Sequence, residues 1–580
     1  MKFLLLCAAF FAPWAAAFSF NSYDLGFHGL YPRQHFHSVD LEPPAPKITK
    51  WDSRCDTGGS LLLTPRGPWV TGAARGPVIL DPRGNLVWMG NGQFEQAMNL
   101  NVQKYKGQDY LTFWTKIKKS RNAKHSKKSY VMLDSSYQVA YKIKPHGSGL
   151  KADSHEFRIT PQGTALVIIY HKRQTDCTEL GLGKSCWIQD GVFQEIDIET
   201  GKLIFEWRAT DHVRMNDVFS SPCRKDGYGT SKKDAFDFFH INSVDKMDNG
   251  DYIISARYLH AVACISGKTG EILWQLGGKN NKFQDLDTAT DFAWQHHVTW
   301  QGNNTLSLFD NHANSVIHGP SQHSKGMIIR LDMDNMTASL IQKYVHPDKI
   351  LNVSQGSVQI IPESGNVLVG FGNSPTYVEY TADGQVLCNM HYAPHIAFEL
   401  VDFGLAKSYR VFKSPWVGRP KTVPDVKIKN GKAYVSWNGA TEVTGWRLQT
   451  AKTLAATDNE FVTVQELQRD GFETSFSLDN THDYVRIVAL DAAKDAMASS
   501  VAVKTPGSRS VALRIFLILM LCFALLISTL AASLFFVRRF PAFRQLSKLS
   551  DFRARMYRAT RRNREYDYET DPLLMNDRDD

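Results

Sequence analysis

The chain predicts an all-β protein: a six-bladed β-propeller, then a fibronectin-III or Ig-like β-sandwich, then a single transmembrane helix. Three observations predict it. Short alternating strands broken by Gly, Asp and Asn turns run from about residue 45 to 410. Two hairpin patterns recur within that stretch, and one uncharged apolar run, Ile515 to Val537, lies far along the chain. Helical periodicity is nearly absent before that run, which argues against an α/β enzyme fold.

The first residues, MKFLLLCAAFFAPWAAAFSF, hold one charge (Lys2), an apolar stretch and then Ala15-Ala16-Ala17. This is the plan of a signal peptide, assigned to residues 1–17 with cleavage after Ala17. The stretch is too short for a hydrocarbon core of ~30 Å, which needs about 20 residues.

The propeller is assigned to residues 45–412. VILDPRGNLVWMG, YVMLDSSYQVAYKI, FQEIDIETGKLIFEWR and CISGKTGEILWQLGG share one hairpin plan. HEFRITPQGTALVIIY, HINSVDKMDNGDYIISAR, HHVTWQGNNTLSLFDN and SVQIIPESGNVLVGFG share a second. The two types alternate, giving four-stranded units in series, which is the signature of propeller blades. Five or six units fit, with six preferred. Trp207, Trp274, Trp294 and Trp300 recur near blade edges and read as packing between blades. The Lys116–Lys128 loop, KIKKSRNAKHSKK, reads as a solvated hairpin tip.

Residues 420–506 change style. A proline-rich start, Trp437, Trp446, Tyr484 and several strands in fewer than 100 residues suggest the sandwich. Its aromatic residues read as core, and the module as a spacer or brace. Ile515 to Val537 then gives 23 residues without a charge, flanked by Arg514, Arg538 and Arg539, and is assigned as the transmembrane helix (515–537). Residues 538–564 hold ten Lys/Arg and one acid, Asp551, which equals the formal charge of the whole chain, +9. The basic excess therefore belongs to a cytoplasmic tail, residues 538–580, suited to anionic lipid headgroups and giving no support to nucleic-acid binding. Within it, Glu569 with Leu573-Leu574 resembles an acidic dileucine sorting signal for adaptors. The expectation is a single-pass type I glycoprotein of the secretory pathway, at the plasma membrane or in an endosome or vacuole.

Cys7 and Cys522 fall in the two apolar segments, leaving Cys55, Cys177, Cys186, Cys223, Cys264 and Cys388 outside. Six thiols in an oxidising compartment suggest disulfides, with Cys177–Cys186 the nearest pair and the other pairings open. No CxxC or His/Cys spacing suggests a metal, and no cofactor is expected. Asn303, Asn335 and Asn352 stand in glycosylation sequons.

Candidate site residues come from the second hairpin type. In a propeller the first strand of each blade lines a central channel, so equivalent strand starts converge. His155, His240 and His296 occupy one such position, with Ser357 at the fourth. Arg257 and Asn311 share another, at the end of the following strand. Three imidazoles at one channel mouth read as a site, and His155-Glu156 as a channel-wall pair.

The ordered run DFFHINSV, GDYIISAR, GKTGEILWQLGG, FAWQHHVTW, LSLFDNHA and GSVQIIPESGNVLVGFG resembles the arylsulfotransferase family over residues 60 to 410. The nearest branch is the secreted and membrane-anchored one common in filamentous fungi. The resemblance implies transfer of a sulfuryl group from a small phenolic sulfate donor to a phenol acceptor, without the nucleotide donor PAPS, through a transiently sulfated histidine. His240 and Asn242 match the family's HxN motif and His296 its WQH motif, so these are expected as catalytic or charge-stabilising groups with Arg257. The chain departs at three places. His297 stands where the branch has Asp, His312 where it has Gly, and Ser324-Lys325-Gly326 replaces SRG, which makes Lys325 the expected cation. Lysine keeps the charge but loses the planar fork that grips two oxygens. His297 and His312 are candidates to replace the covalent histidine, which has no clear counterpart; His155, Asn311 and His312 are expected to bind substrate. A non-catalytic propeller receptor or scaffold with a sorting tail is the alternative.

Overall fold

The computed structural model describes residues 21–90, 92–117, 127–315, 323–479, 483–505 and 508–539. The signal peptide, the tip of the Lys116–Lys128 loop, most of the basic tail and the Glu569/Leu573-Leu574 motif lie outside the described residues.

Six antiparallel sheets follow one another. Sheet I holds Ser60–Leu63, Val78–Leu80 and Leu86–Met89, with Phe412–Ser414 paired to its first strand. Sheet II is Phe94–Tyr105, Gln108–Ile117, Lys127–Leu133 and Val139–Ile143. Sheet III is Phe157–Ile159, Thr164–Thr175, Cys186–Asp197 and Leu203–Arg208, and sheet IV is Ile241–Lys246, Tyr252–Ala256, Ala261–Ile265 and Ile272–Gly277. Sheet V is His296–Gly302, Thr305–Asp310, Lys325–Asp332 and Thr337–Val345, with Gln284–Leu286 added in parallel at its edge. Sheet VI is Ser357–Ile360, Val367–Gly370, Thr376–Tyr380 and Val386–His391, extended by Lys47–Lys50.

Each sheet is a meander because its strands alternate apolar and polar residues and its turns carry Gly, Asn or Asp where backbone twist demands them. Leading strands of successive sheets touch, and the Phe412–Ser414 strand touches both the sixth sheet and the second. The ring thus closes with the end of the repeat region pairing onto its beginning. A disulfide, Cys55–Cys388, ties the same two regions across 333 residues, and Cys177–Cys186 closes the expected short loop. Cys223 and Cys264 are free thiols. Trp207, fully buried, packs on Phe193 and Phe239 and donates its indole N–H to Gly270 O at 3.0 Å, joining sheets III and IV as expected.

Two further sheets follow: Asp425–Lys429, Lys432–Ser436 and Glu473–Ser477 in one, and Gly445–Ala451, Val462–Gln468, Tyr484–Leu490 and Ala496–Ser499 in the other. They enclose Trp437, Trp446, Phe476 and Ile487. This module is docked on the ring, not hung from it. Tyr137 of sheet II stacks on Trp88 at 4.6 Å and donates its hydroxyl to Gly439 O, while Trp416 donates to Tyr137 Oη. Asn438 exchanges two hydrogen bonds with the Met89 backbone. Ring and second module belong to one compact unit. The other unit contains the helix Ser508–Arg539, whose Phe516–Phe535 stretch is the one described helix long and apolar enough to cross a membrane.

Candidate active site

The leading strands of sheets III to VI begin around one cavity of about 830 Å³. Around it the backbone departs from regular strand: Asn99 within the leading strand of sheet II, and His240, His297 and Gln355 at the starts of sheets IV, V and VI, hold φ of +64°, +53°, +53° and +68°, the left-handed region that costs a non-glycine residue of order 1 kcal/mol. Register shifts interrupt the ladders between Met98 and Asn101, Ile241 and Ser243, and His296 and Thr299. Bulges of this kind re-aim side chains and concentrate beside functional sites.

His155 and His240 line the cavity with ring centroids 5.1 Å apart. Each carries a carboxylate on Nδ1: Asp153 Oδ1 lies 2.5 Å from His155 and Asp237 Oδ2 2.6 Å from His240. The carboxylate accepts the Nδ1 proton, so in the neutral ring Nε2 bears the lone pair. Neither Nε2 has a partner among the described residues. Burial holds the His240 ring below the usual imidazole range even though Asp237 pulls the other way, so it is neutral at neutral pH. Tyr170 and Tyr409 close on His155 at 5.4 and 5.5 Å, and Tyr258 on His240 at 5.1 Å.

His296 also lines the cavity but is fully engaged. Nδ1 donates to Asn311 Oδ1 at 2.6 Å and Nε2 accepts the Gln355 backbone N–H at 3.2 Å. Burial, then Arg257, holds it well below the usual range. Asn311 therefore sets the tautomer of His296 and is itself buried, its amide donating to Asn352 O and Gln355 O. It does not itself line the cavity, where a contact with substrate was expected of it. Arg257 does reach the cavity. It donates Nη2 to Val353 O at 3.1 Å, lies 4.9 Å over Trp294, and has no partner for its buried Nε. Trp294 accordingly supports this cation.

Four expected residues point elsewhere. Asn242 is fully buried and donates to Gln295 O at 2.7 Å, tying the WQH segment to sheet IV; two residues beyond His240 it would share that face in a regular strand, but the left-handed His240 and the register shift between Ile241 and Ser243 break the alternation. His297 accepts the Val358 N–H at Nδ1 and packs on Phe412, facing away from His296 as the next residue along a strand does. It lines a different cavity with Arg158 and Gln359. Lys325 is buried in an ion pair with Asp310 (2.7 Å), and His312 meets the same carboxylate at 3.2 Å. Lys325 neutralises Asp310, and neither Lys325 nor His312 lines the His155/His240 cavity. Among the sequons, Asn303 and Asn335 are exposed. Asn352 is not: its amide donates to Ser354 O and its Oδ1 accepts the Ser374 N–H, which leaves no room for a glycan on the folded chain.

Sequence reasoning missed the carboxylates Asp153 and Asp237 and most of the cations. Arg66, Arg224, Lys225, Lys233 and Lys407 join Arg257 around the cavity against four carboxylates, of which Asp237 serves His240 and Asp226 accepts from Tyr258 Oη. The DxH spacing of Asp153 and His155 and the DxxH spacing of Asp237 and His240 were the local signals available. Next to Tyr409, the buried Arg410 grips Glu156 with two bonds of 2.8 and 3.0 Å and also donates to Asn99 Oδ1 and Asn242 O, tying the leading strands of sheets II, III and IV together.

Residues 101–393 match the family model described as Arylsulfotransferase (ASST). The chain belongs to the arylsulfotransferase family. The matched region contains every histidine of the cavity. Among curated protein sequences none matches this family member. Solved structures similar to this arylsulfotransferase-family chain include a protein of unknown function from Bacteroides caccae (13% identity, 61% of this chain and 98% of that chain, TM-score 0.33). The β-propeller domain of Cps50 (Swd1) from Myceliophteria thermophila is another (10%, 60% and 97%, TM-score 0.28), and streptogramin B lyase a third (11%, 68% and 86%, TM-score 0.26). At such scores these likenesses carry no argument about the site.

Proposed function

We propose that this protein transfers sulfuryl groups between phenols without PAPS, at the mouth of a six-bladed propeller formed by sheets I to VI. The observation that carries the reading is the pair of carboxylate-backed imidazoles, His155 and His240, opening on a cavity with surplus positive charge. His240 Nε2 attacks sulfur of the aryl sulfate; the N–S bond forms as the S–O(aryl) bond breaks and its electron pair leaves on the phenolate. His155, in protonated form, supplies the proton to that oxygen. An incoming phenol then gives its proton back to His155 while its oxygen attacks sulfur, and the N–S pair returns to His240. Asp237 and Asp153 hold the tautomers and stabilise the cationic rings. Arg257, with an unpartnered Nε, suits the negative charge spread over the sulfuryl oxygens in the transition state.

The second module reads as a fibronectin-III-like brace and the Phe516–Phe535 helix as a type I membrane anchor, with the ring in an oxidising, glycosylating compartment. Full-length protein in detergent tests the reading: an aryl sulfate and a phenol acceptor should give transfer, and mass spectrometry should find sulfate on the His240 peptide. His240→Ala should abolish both, while His155→Ala should slow transfer and leave the labelled peptide detectable. Folded protein that transfers nothing over a broad panel of donors would favour a binding role for the cavity.

A further inference from the structure

Arg66 and Lys407 oppose one another on an isolated antiparallel bridge, each N–H donating to the other's carbonyl at 2.9 and 2.8 Å. Directly opposed residues carry their side chains side by side, and both line the cavity with His155 and His240. Two like charges therefore share one wall, and no Asp or Glu offsets either of them among the described residues. Burial brings Arg66 down to about 10; burial and then Arg66 bring Lys407 down to about 8. Such a pair is costly in the empty cavity and is relieved by an anion.

The surroundings are shaped for one. Arg66 gives Nη2 to Gln355 Oε1 at 2.6 Å, and its Nε is buried without a partner. Gln355 is held in place by Asn373 Oδ1, which accepts its amide at 2.8 Å. Gly404, at φ +51°, keeps the corner open, because a Cβ there would collide with Lys407 Nζ. Tyr409, two residues beyond Lys407, sets its ring 5.5 Å from that of His155 and also lines the cavity. Tyr409 thus neighbours both Arg66 and the His155 imidazole.

We infer that Arg66 and Lys407 form a second anion subsite, which takes a carboxylate borne by the phenolic substrate, so that phenolic carboxylic acids are the preferred acceptors. The inference rests on the sulfuryl-transfer reading for the identity of the other end of the molecule. A guanidinium and an ammonium suit the two oxygens of a carboxylate, the Tyr409 face suits the ring, and the phenolic oxygen is left for the imidazoles.

The test is equilibrium binding of 4-hydroxybenzoate and 4-methylphenol to the full-length protein in detergent, read by calorimetry. The wild type should bind 4-hydroxybenzoate at least about tenfold more tightly. Lys407→Met and Arg66→Gln should each bring the ratio of dissociation constants near one, and Lys407→Arg should keep it. The ratio is insensitive to a fraction of unfolded variant, which lowers only the apparent stoichiometry. A wild-type ratio near one would overturn the inference and hand the pair to a free anion; a ratio unchanged in both variants would overturn it as well. Turnover is not needed, so a preserved ratio without sulfuryl transfer would remove the enzymatic reading and leave the subsite standing.

Discussion

Arg410→Met should be among the most destabilising single substitutions in the ring. Arg410 and Glu156 are both buried and joined by two charge-assisted bonds of 2.8 and 3.0 Å. After the substitution Glu156 keeps only the Asn99 amide and the Phe157 N–H, both on Oε1, and Oε2 loses its partner. Breaking a buried pair in this way costs about 3–5 kcal/mol, a fall of roughly two to nearly four powers of ten in the folded-to-unfolded ratio, at about 1.4 kcal/mol per tenfold change. Glu156→Gln should cost a comparable amount by stranding the guanidinium. The double variant buries no charge, so it should be more stable than the two single losses predict, by about 1–3 kcal/mol of coupling. Urea unfolding of the four proteins, followed by tryptophan fluorescence in one detergent, gives the cycle. A loss below about 1 kcal/mol for Arg410→Met, or strict additivity in the double variant, would refute the assignment of this pair as the tie between the leading strands.

Asp237→Asn should lower kcat/KM for sulfuryl transfer by about 10²–10⁴ while leaving the fold intact, because an amide donating to His240 Nδ1 moves the proton to Nε2; steady-state kinetics and a thermal melt separate the two effects. Activity should persist below pH 6.5 before its acid limb, since burial keeps His240 neutral past the usual range; a limb centred at or above 6.5 would contradict this. His296 and His297 are held well below their ordinary value, so the unfolded chain takes up protons first as pH falls. Stability is therefore full above pH 6.5 and should drop by about 1 kcal/mol for each of them between pH 6.5 and 5.5, measurable by urea midpoints. Cys55→Ser opens a closure of 333 residues; chain entropy sets an upper loss near 6 kcal/mol, and about 2–4 kcal/mol is the usual outcome, read as a midpoint below that of the oxidised wild type, with any further fall on reduction belonging to Cys177–Cys186.

Much of the frame was legible in the sequence. Alternation and turn residues are local properties, so the hairpins starting at Phe157, Ile241, His296 and Ser357 fall where the repeats place them. The short disulfide Cys177–Cys186 followed from proximity along the chain, whereas Cys55–Cys388 needed the closed ring to bring its ends together. His155, His240 and His296 line one cavity because equivalent repeat positions are carried to equivalent places. Asn242, His297, Lys325 and His312 lie outside that cavity, which motif matching does not foresee, since a motif records which residues are neighbours but not the side to which each points.

By itself the sequence determined the strand-rich repeat, the histidine-bearing strand starts, the apolar helix and the family resemblance, because these depend on periodicity and on residue order. Only the tertiary structure decided which nitrogens of each histidine are engaged and which are free. That choice rests on a carboxylate two or three residues away for His155 and His240, and on Asn311 and Gln355 for His296. It decided equally that Arg66 and Lys407, 341 positions apart by their numbers, share one wall. Closure of the ring sets both, since it alone carries the end of the repeat back to its beginning and buries charges that in an open chain would face water.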